Sequence, residues 1–130
     1  RWIRPLAEFK NPIEGILKQL KKIIDETPDA RVALGCPLNN LSQEMSAVDP
    51  VFQEKLLANT TLWLNQIEAV LVKARSDGFL KQEIDPRQLA EFIVTIHEGI
   101  YGMGKAFRDK KIWHSLYQSL KLHLELVSET

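Results

Sequence analysis

The chain has 130 residues, enough for one domain with a sizeable core, and 45% of them are hydrophobic, as in ordinary globular proteins. Lys+Arg and Asp+Glu both number 17, so the chain lacks the basic excess of an independent nucleic-acid-binding domain. Cys36 is the single cysteine, which excludes an internal disulfide and points to a reducing, cytoplasmic compartment. No apolar run is long enough to span a membrane, and no signal peptide is recognisable.

In chain order, Trp2, Ile3, Leu6 and Phe9 fit either the tail of a helix or an apolar arm. Asn11 caps the next helix, with Pro12 at its first position and Glu14 three residues after the cap. Ile13, Ile16, Leu17, Leu20, Ile23 and Ile24 form one narrow face, and Lys18, Lys21 and Lys22 point to solvent. Thr27-Pro28-Asp29 stops this helix. Gly35-Cys36-Pro37 breaks the chain again. Leu38, Leu41 and Met45 then predict a short helix from about Pro37 to Ala47, with Cys36 a small buried residue.

Asp49-Pro50 opens the longest helix, which reaches about Asp77 and stops at Gly78. Phe52, Leu56, Trp63, Ile67, Val70 and Ala74 share one side, which Leu57, Leu64 and Leu71 widen. So broad a stripe predicts a central helix with neighbours on several sides. Asn59 and Gln66 lie beside Trp63, where amides either orient a ligand or face water.

After a short link, Asp85 caps a helix running to Arg108, with Pro86 first and Gln88 three residues after the cap. Leu89, Phe92, Ile93, Ile96, Ile100, Met103 and Phe107 make its main apolar face. Thr95, Gly99, Gly102 and Ala106 make a second stripe of small residues, which admits another backbone closely. The last helix, about Lys111 to Val127, is also two-faced. Ile112, Trp113, Leu116, Tyr117, Leu120, Leu124 and Val127 form one face, and Ser115, Ser119, Leu122 and Leu126 the other. No strand signal occurs. The chain is expected to be a single all-α domain, residues 1–130, of five to six helices.

Chemistry is sparse. Gly99 to Lys105 fits the spacing of a phosphate-binding loop, but Ala106 stands where a magnesium-binding hydroxyl belongs and no strand precedes it. Its glycines fall within a helical pattern, where each costs about 1 kcal/mol relative to alanine, so packing explains them better. His114 and His123 emerge on opposite sides of one helix, and His97 and Glu98 point about 100° apart. No metal site, cofactor or enzyme activity is expected. His97 is expected to be partly buried.

The order of residues carries more. Gly35-Cys36-Pro37-Leu38-Asn39-Asn40-Leu41-Ser42-Gln43-Glu44 resembles the segment G-C-x-L-x-N-L-x-x-E of many TetR-family transcriptional regulators. Asp49-Pro50, Ala74-Arg75-Ser76-Asp77-Gly78, Ile84-Asp85-Pro86 with Leu89-Ala90, Glu98-Gly99 and Ala106-Phe107-Arg108 follow in the family's order. The resemblance covers nearly the whole chain and implies the ligand-binding and dimerisation region of a repressor. The family's helix-turn-helix domain is absent from this sequence, so operator DNA would be a partner only through that upstream domain. A freestanding helical interaction module remains the alternative.

Two sites are expected on this basis. An effector pocket would lie between the two long helices, capped by the short helix from Pro37. Its walls would be Phe52, Leu56, Asn59, Trp63, Ile96, His97, Ile100 and Tyr101, with Cys36 and Met45 near the mouth. Such walls suit a small, largely apolar or aromatic effector, oriented by Asn59 and His97. A two-fold homodimer would bury Thr95, Gly99, Gly102 and Ala106 with Ser115, Ser119, Leu122 and Leu126 in a four-helix bundle. The competing reading is that the glycines admit a helix of the same chain.

Overall fold

The computed structural model describes residues 3–129 and is all-α. A 3-10 turn, Arg4–Glu8, precedes six helices: α1 Pro12–Glu26, α2 Asp29–Val32, α3 Pro37–Met45, α4 Pro50–Ser76, α5 Pro86–Phe107 and α6 Lys110–Val127. Leu6 of the turn is buried, with Ile3 and Phe9 half-buried beside it; Trp2 lies outside the described residues.

The helices start where their caps dictate. The Asn11 Oδ1 accepts the Ile13 N–H at 3.0 Å. The Asp49 Oδ1 accepts from the Val51 and Phe52 amides at 3.0 and 3.1 Å. Asp85 does the same for Arg87 and Gln88, and Asp109 for Lys111. Each bond satisfies an amide that has no partner in the first helical turn. At the other end of α4, Gly78 adopts φ +84°. There the Phe79 N–H reaches the Ala74 carbonyl at 2.8 Å, and the Gly78 N–H reaches Arg75 at 3.2 Å. This left-handed end closes the helix as only glycine does cheaply. Arg108 ends α5 at φ +55°, a conformation that costs a non-glycine residue about 1 kcal/mol. It turns the chain within two residues, so α6 folds back along α5.

The core is the shared interior of α1, α4, α5 and α6. Ile16, Ile24, Ile67, Leu71, Ala74, Ile93, Leu120 and Leu124 are its buried centre. Burying one such large aliphatic side chain contributes about 1.5–3 kcal/mol. The link after α4 pairs with the end of α6. Leu80 bridges Ser128, the Lys81 N–H donates to Val127 at 3.0 Å, and the Glu129 N–H donates to Phe79 at 2.9 Å. Arg87 ties α5 to α4 through Asn65 at 2.8 Å and Glu68 at 3.1 Å.

Three expectations need correction. On α5, Phe92, Met103 and Phe107 are exposed, not buried. The covered arc runs through Leu89, Ile93, His97, Ile100 and Gly104, facing α4 and α6. Those three residues fall on its edge, toward the small-residue stripe. On α4, only Ile67, Leu71 and Ala74 are buried, and Leu57 and Leu62 are exposed. α4 does have neighbours on several sides, α5, α1 and α3, but its first half is only partly covered by them. α3 itself buries no residue, and Cys36 is half-buried.

The glycines of α5 divide sharply. A Cβ built on Gly99 or Gly102 meets nothing within 4 Å. A Cβ on Gly104 would collide with Trp113 Nε1 and lie 2.8 Å from Trp113 Cε2 and 3.0 Å from Val32 Cγ1. Gly104→Ala is therefore expected to lower stability by about 1–3 kcal/mol, overriding its helix-propensity gain. Gly99→Ala is expected to cost nothing in the single chain. Urea unfolding of both variants checks the contrast.

Candidate functional site

A cavity of about 210 Å³ lies among α3, α4 and α5. α3 supplies Leu38, Asn39 and Ser42; α4 supplies Leu56, Asn59, Thr60 and Trp63; α5 supplies Val94 and Glu98. The walls are one apolar group of four and one polar group of five. α3 is held over it chiefly by Asn39, whose Nδ2 donates to the Glu98 carbonyl at 3.1 Å. The neighbouring Asn40 Nδ2 donates to the Leu34 carbonyl at 2.9 Å and shapes the turn before α3. Gly35 sits in that turn at φ +69°, with Asn40 Oδ1 3.0 Å from where a Cβ would be. The two asparagines of the sequence segment thus set the entry and the seat of α3.

Behind the cavity runs a chain of rings. Trp63 of α4 meets His97 of α5 edge-on at 4.9 Å between centroids. His97 meets Tyr101 at 5.1 Å, and Tyr101 meets Trp113 of α6 at 5.5 Å. All three arrangements suit the edge-to-face preference of aromatic rings. His97 is buried, and its Nδ1 lies 3.2 Å from Glu98 Oε1. Burial holds the Tyr101 phenol above its ordinary pKa, and the neighbouring Cys36 and Glu98 add to the rise.

The expected effector residues separate into groups. Leu56, Asn59 and Trp63 line the cavity. His97 and Tyr101 stand one ring behind it. Cys36 adds to the rise of the Tyr101 pKa but does not line the walls. Ile100 is in the core. Phe52 and Met45 lie outside the walls, and Ile96 sits on the opposite flank of α5 from Val94 and Glu98, about 200° away. Gln66 does not reach the cavity. Sequence reasoning missed Leu38, Asn39, Ser42, Thr60, Val94 and Glu98. Asn39 and Ser42 stood within the segment that carries the resemblance, but nothing in their spacing set them above their neighbours.

The expected interface residues are together on the outside. Thr95, Gly99, Gly102 and Ala106 of α5 and Ser115, Ser119, Leu122 and Leu126 of α6 are all exposed. Phe92 and His123 stack across the junction of the two helices at 4.6 Å, joining the stripes. Among the described residues, no helix of the same chain presses on Gly99 or Gly102. A groove of about 540 Å³ runs over this stripe, between Gln43 of α3 and Thr95, Gly99, Gly102 and Met103 of α5. Asn39, Val94 and Glu98 border both groove and cavity.

Residues 12–120 match the family described as "Tetracyclin repressor-like, C-terminal domain". Over 88 residues the chain is 25% identical to the HTH-type transcriptional repressor DhaR of Mycobacterium sp. (strain GP1), covering 68% of this chain. The match spans 42% of that relative's length. No solved structure matches.

The raised Tyr101 pKa fixes the sign of a pH effect. The folded chain holds the phenolic proton more tightly than the unfolded chain does. Its contribution to stability is complete below the ordinary tyrosine value of about 10 and is lost as pH rises through the higher folded value. Burial raises the Tyr117 phenol as well, so ultraviolet titration should show both phenols ionising above that range, and Tyr101→Phe should remove one of the two and leave that of Tyr117.

Proposed function

Because the chain belongs to the family of tetracyclin repressor-like C-terminal domains, we propose that it is the effector-binding and dimerising half of a transcriptional repressor. The observation that carries this reading is the double use of α5. One flank, Val94 and Glu98, borders an internal cavity. The other, Thr95, Gly99, Gly102 and Ala106, is an exposed stripe with open space beside it. A helix so placed converts a change inside the cavity into a change at a two-fold interface.

The effector is a small molecule that enters between α3 and the pair α4–α5. Leu56, Trp63 and Val94 receive its apolar body, Asn59 orients it, and His97 supports Trp63 from behind. α3 buries nothing of its own, so it is the element that moves to admit a ligand. The second copy packs against α5 and α6 as an isologous four-helix bundle. Movement of α5 then alters the spacing of two DNA-binding heads carried outside this sequence.

Two outcomes follow. The unaltered protein should sediment at twice the 14.9 kDa chain mass, and Gly102→Leu should shift it to the single-chain mass by steric clash. A single-chain mass for the unaltered protein would refute the interface. Residues 1–130 alone, with 17 basic and 17 acidic residues, should show no salt-sensitive duplex binding. Tight binding of operator-like DNA by this region would contradict the division of labour.

A further inference from the structure

Glu98 is the one ionisable residue bordering the cavity, and also the one bordering the groove beside it. Its side chain is 29% exposed. Among the described residues no lysine or arginine pairs with it; its neighbour is His97 Nδ1 at 3.2 Å. The other polar walls, Asn39, Asn59, Ser42 and Thr60, are neutral, and each carries an oxygen able to accept a hydrogen bond. A carboxylate drawn partly out of water, without a fixed cation, favours a positive ligand that restores its pairing. Trp63 lies in the same walls, and the His97 ring touches both, at 4.9 Å from the indole centroid. One small molecule can therefore reach the carboxylate and the indole together.

We propose that the effector is a small protonated amine with an apolar body, its ammonium paired with the Glu98 carboxylate and its body against Trp63, Leu56 and Val94. The ammonium donates to Glu98 and to the Asn59 and Ser42 oxygens, all of which accept. The indole adds attraction for a cation near its ring. A carboxylate ligand is disfavoured, because no lining group supplies a positive charge. This rests on reading the cavity as the effector site.

The test uses two probes matched in shape, 2-phenylethylamine and 2-phenylethanol, titrated calorimetrically into the protein at neutral pH. The amine should bind at least about tenfold more tightly than the alcohol. Glu98→Gln should remove that preference while leaving alcohol affinity within about twofold. The unaltered protein alone already decides the matter if the variant unfolds. Equal or tighter binding of the alcohol overturns the amine assignment and leaves the cavity standing as an effector site. Binding of neither probe overturns both the assignment and the effector reading beneath it.

Discussion

Trp113 rests directly on the backbone of Gly104, with no room for even a methyl group between them. That contact sets how α6 lies on α5. Val32 of α2 closes on the same spot, so three elements meet at one glycine. With α6 fixed there and α4 packed along Leu89, Ile93 and Ile100, one arc of α5 remains uncovered. This arc carries Thr95, Gly99, Gly102 and Ala106, flanked by Met103 and Phe107. The outward stripe and the inward cavity are thus two consequences of one docking geometry. The rings from Trp63 through His97 and Tyr101 to Trp113 run across the same helix. They join the cavity wall to the seat of α6 by continuous packing, and rigid packing transmits small displacements poorly damped.

Much of this was legible in the residues. Asn11, Asp49 and Asp85, each followed by proline, announced three helix starts, and each carboxylate or amide caps as expected. Gly78 announced a stop. The periodicity of α6 separated its buried face, Trp113, Tyr117, Leu120, Leu124 and Val127, from its outer one. What periodicity does not carry is which apolar arc is covered. Phe92, Met103 and Phe107 looked as buried as Ile93 and Ile100, because a 3.6-residue repeat records hydrophobicity and not the positions of neighbouring helices. The same limit affected α4, whose apolar stripe outruns the helices available to cover it.

Glycine composition was equally ambiguous. Gly99, Gly102 and Gly104 sit within six residues, yet Gly104 alone is filled by a partner side chain of its own chain. Glu98 illustrates the remaining gap. As a charged residue within an amphipathic helix it has no distinguishing spacing. It becomes notable only when α3 folds over it, with Asn39 bonded to its own carbonyl. α3 buries none of its residues, and the Asn39 side chain ties it to α5.

The claim that α5 and α6 face a second copy is tested most directly by hydroxyl-radical footprinting of the protein in solution. Four leucines share chemistry and exposure in the single chain: Leu57 at 59%, Leu62 at 57%, Leu122 at 59% and Leu126 at 63%. Leu122 and Leu126 lie on the outer face of α6, whereas Leu57 and Leu62 lie on α4, away from it. Burial between two copies predicts strong labelling of Leu57 and Leu62 and protection of Leu122 and Leu126. Equal labelling of all four at the same protein concentration at which sedimentation is read would contradict it.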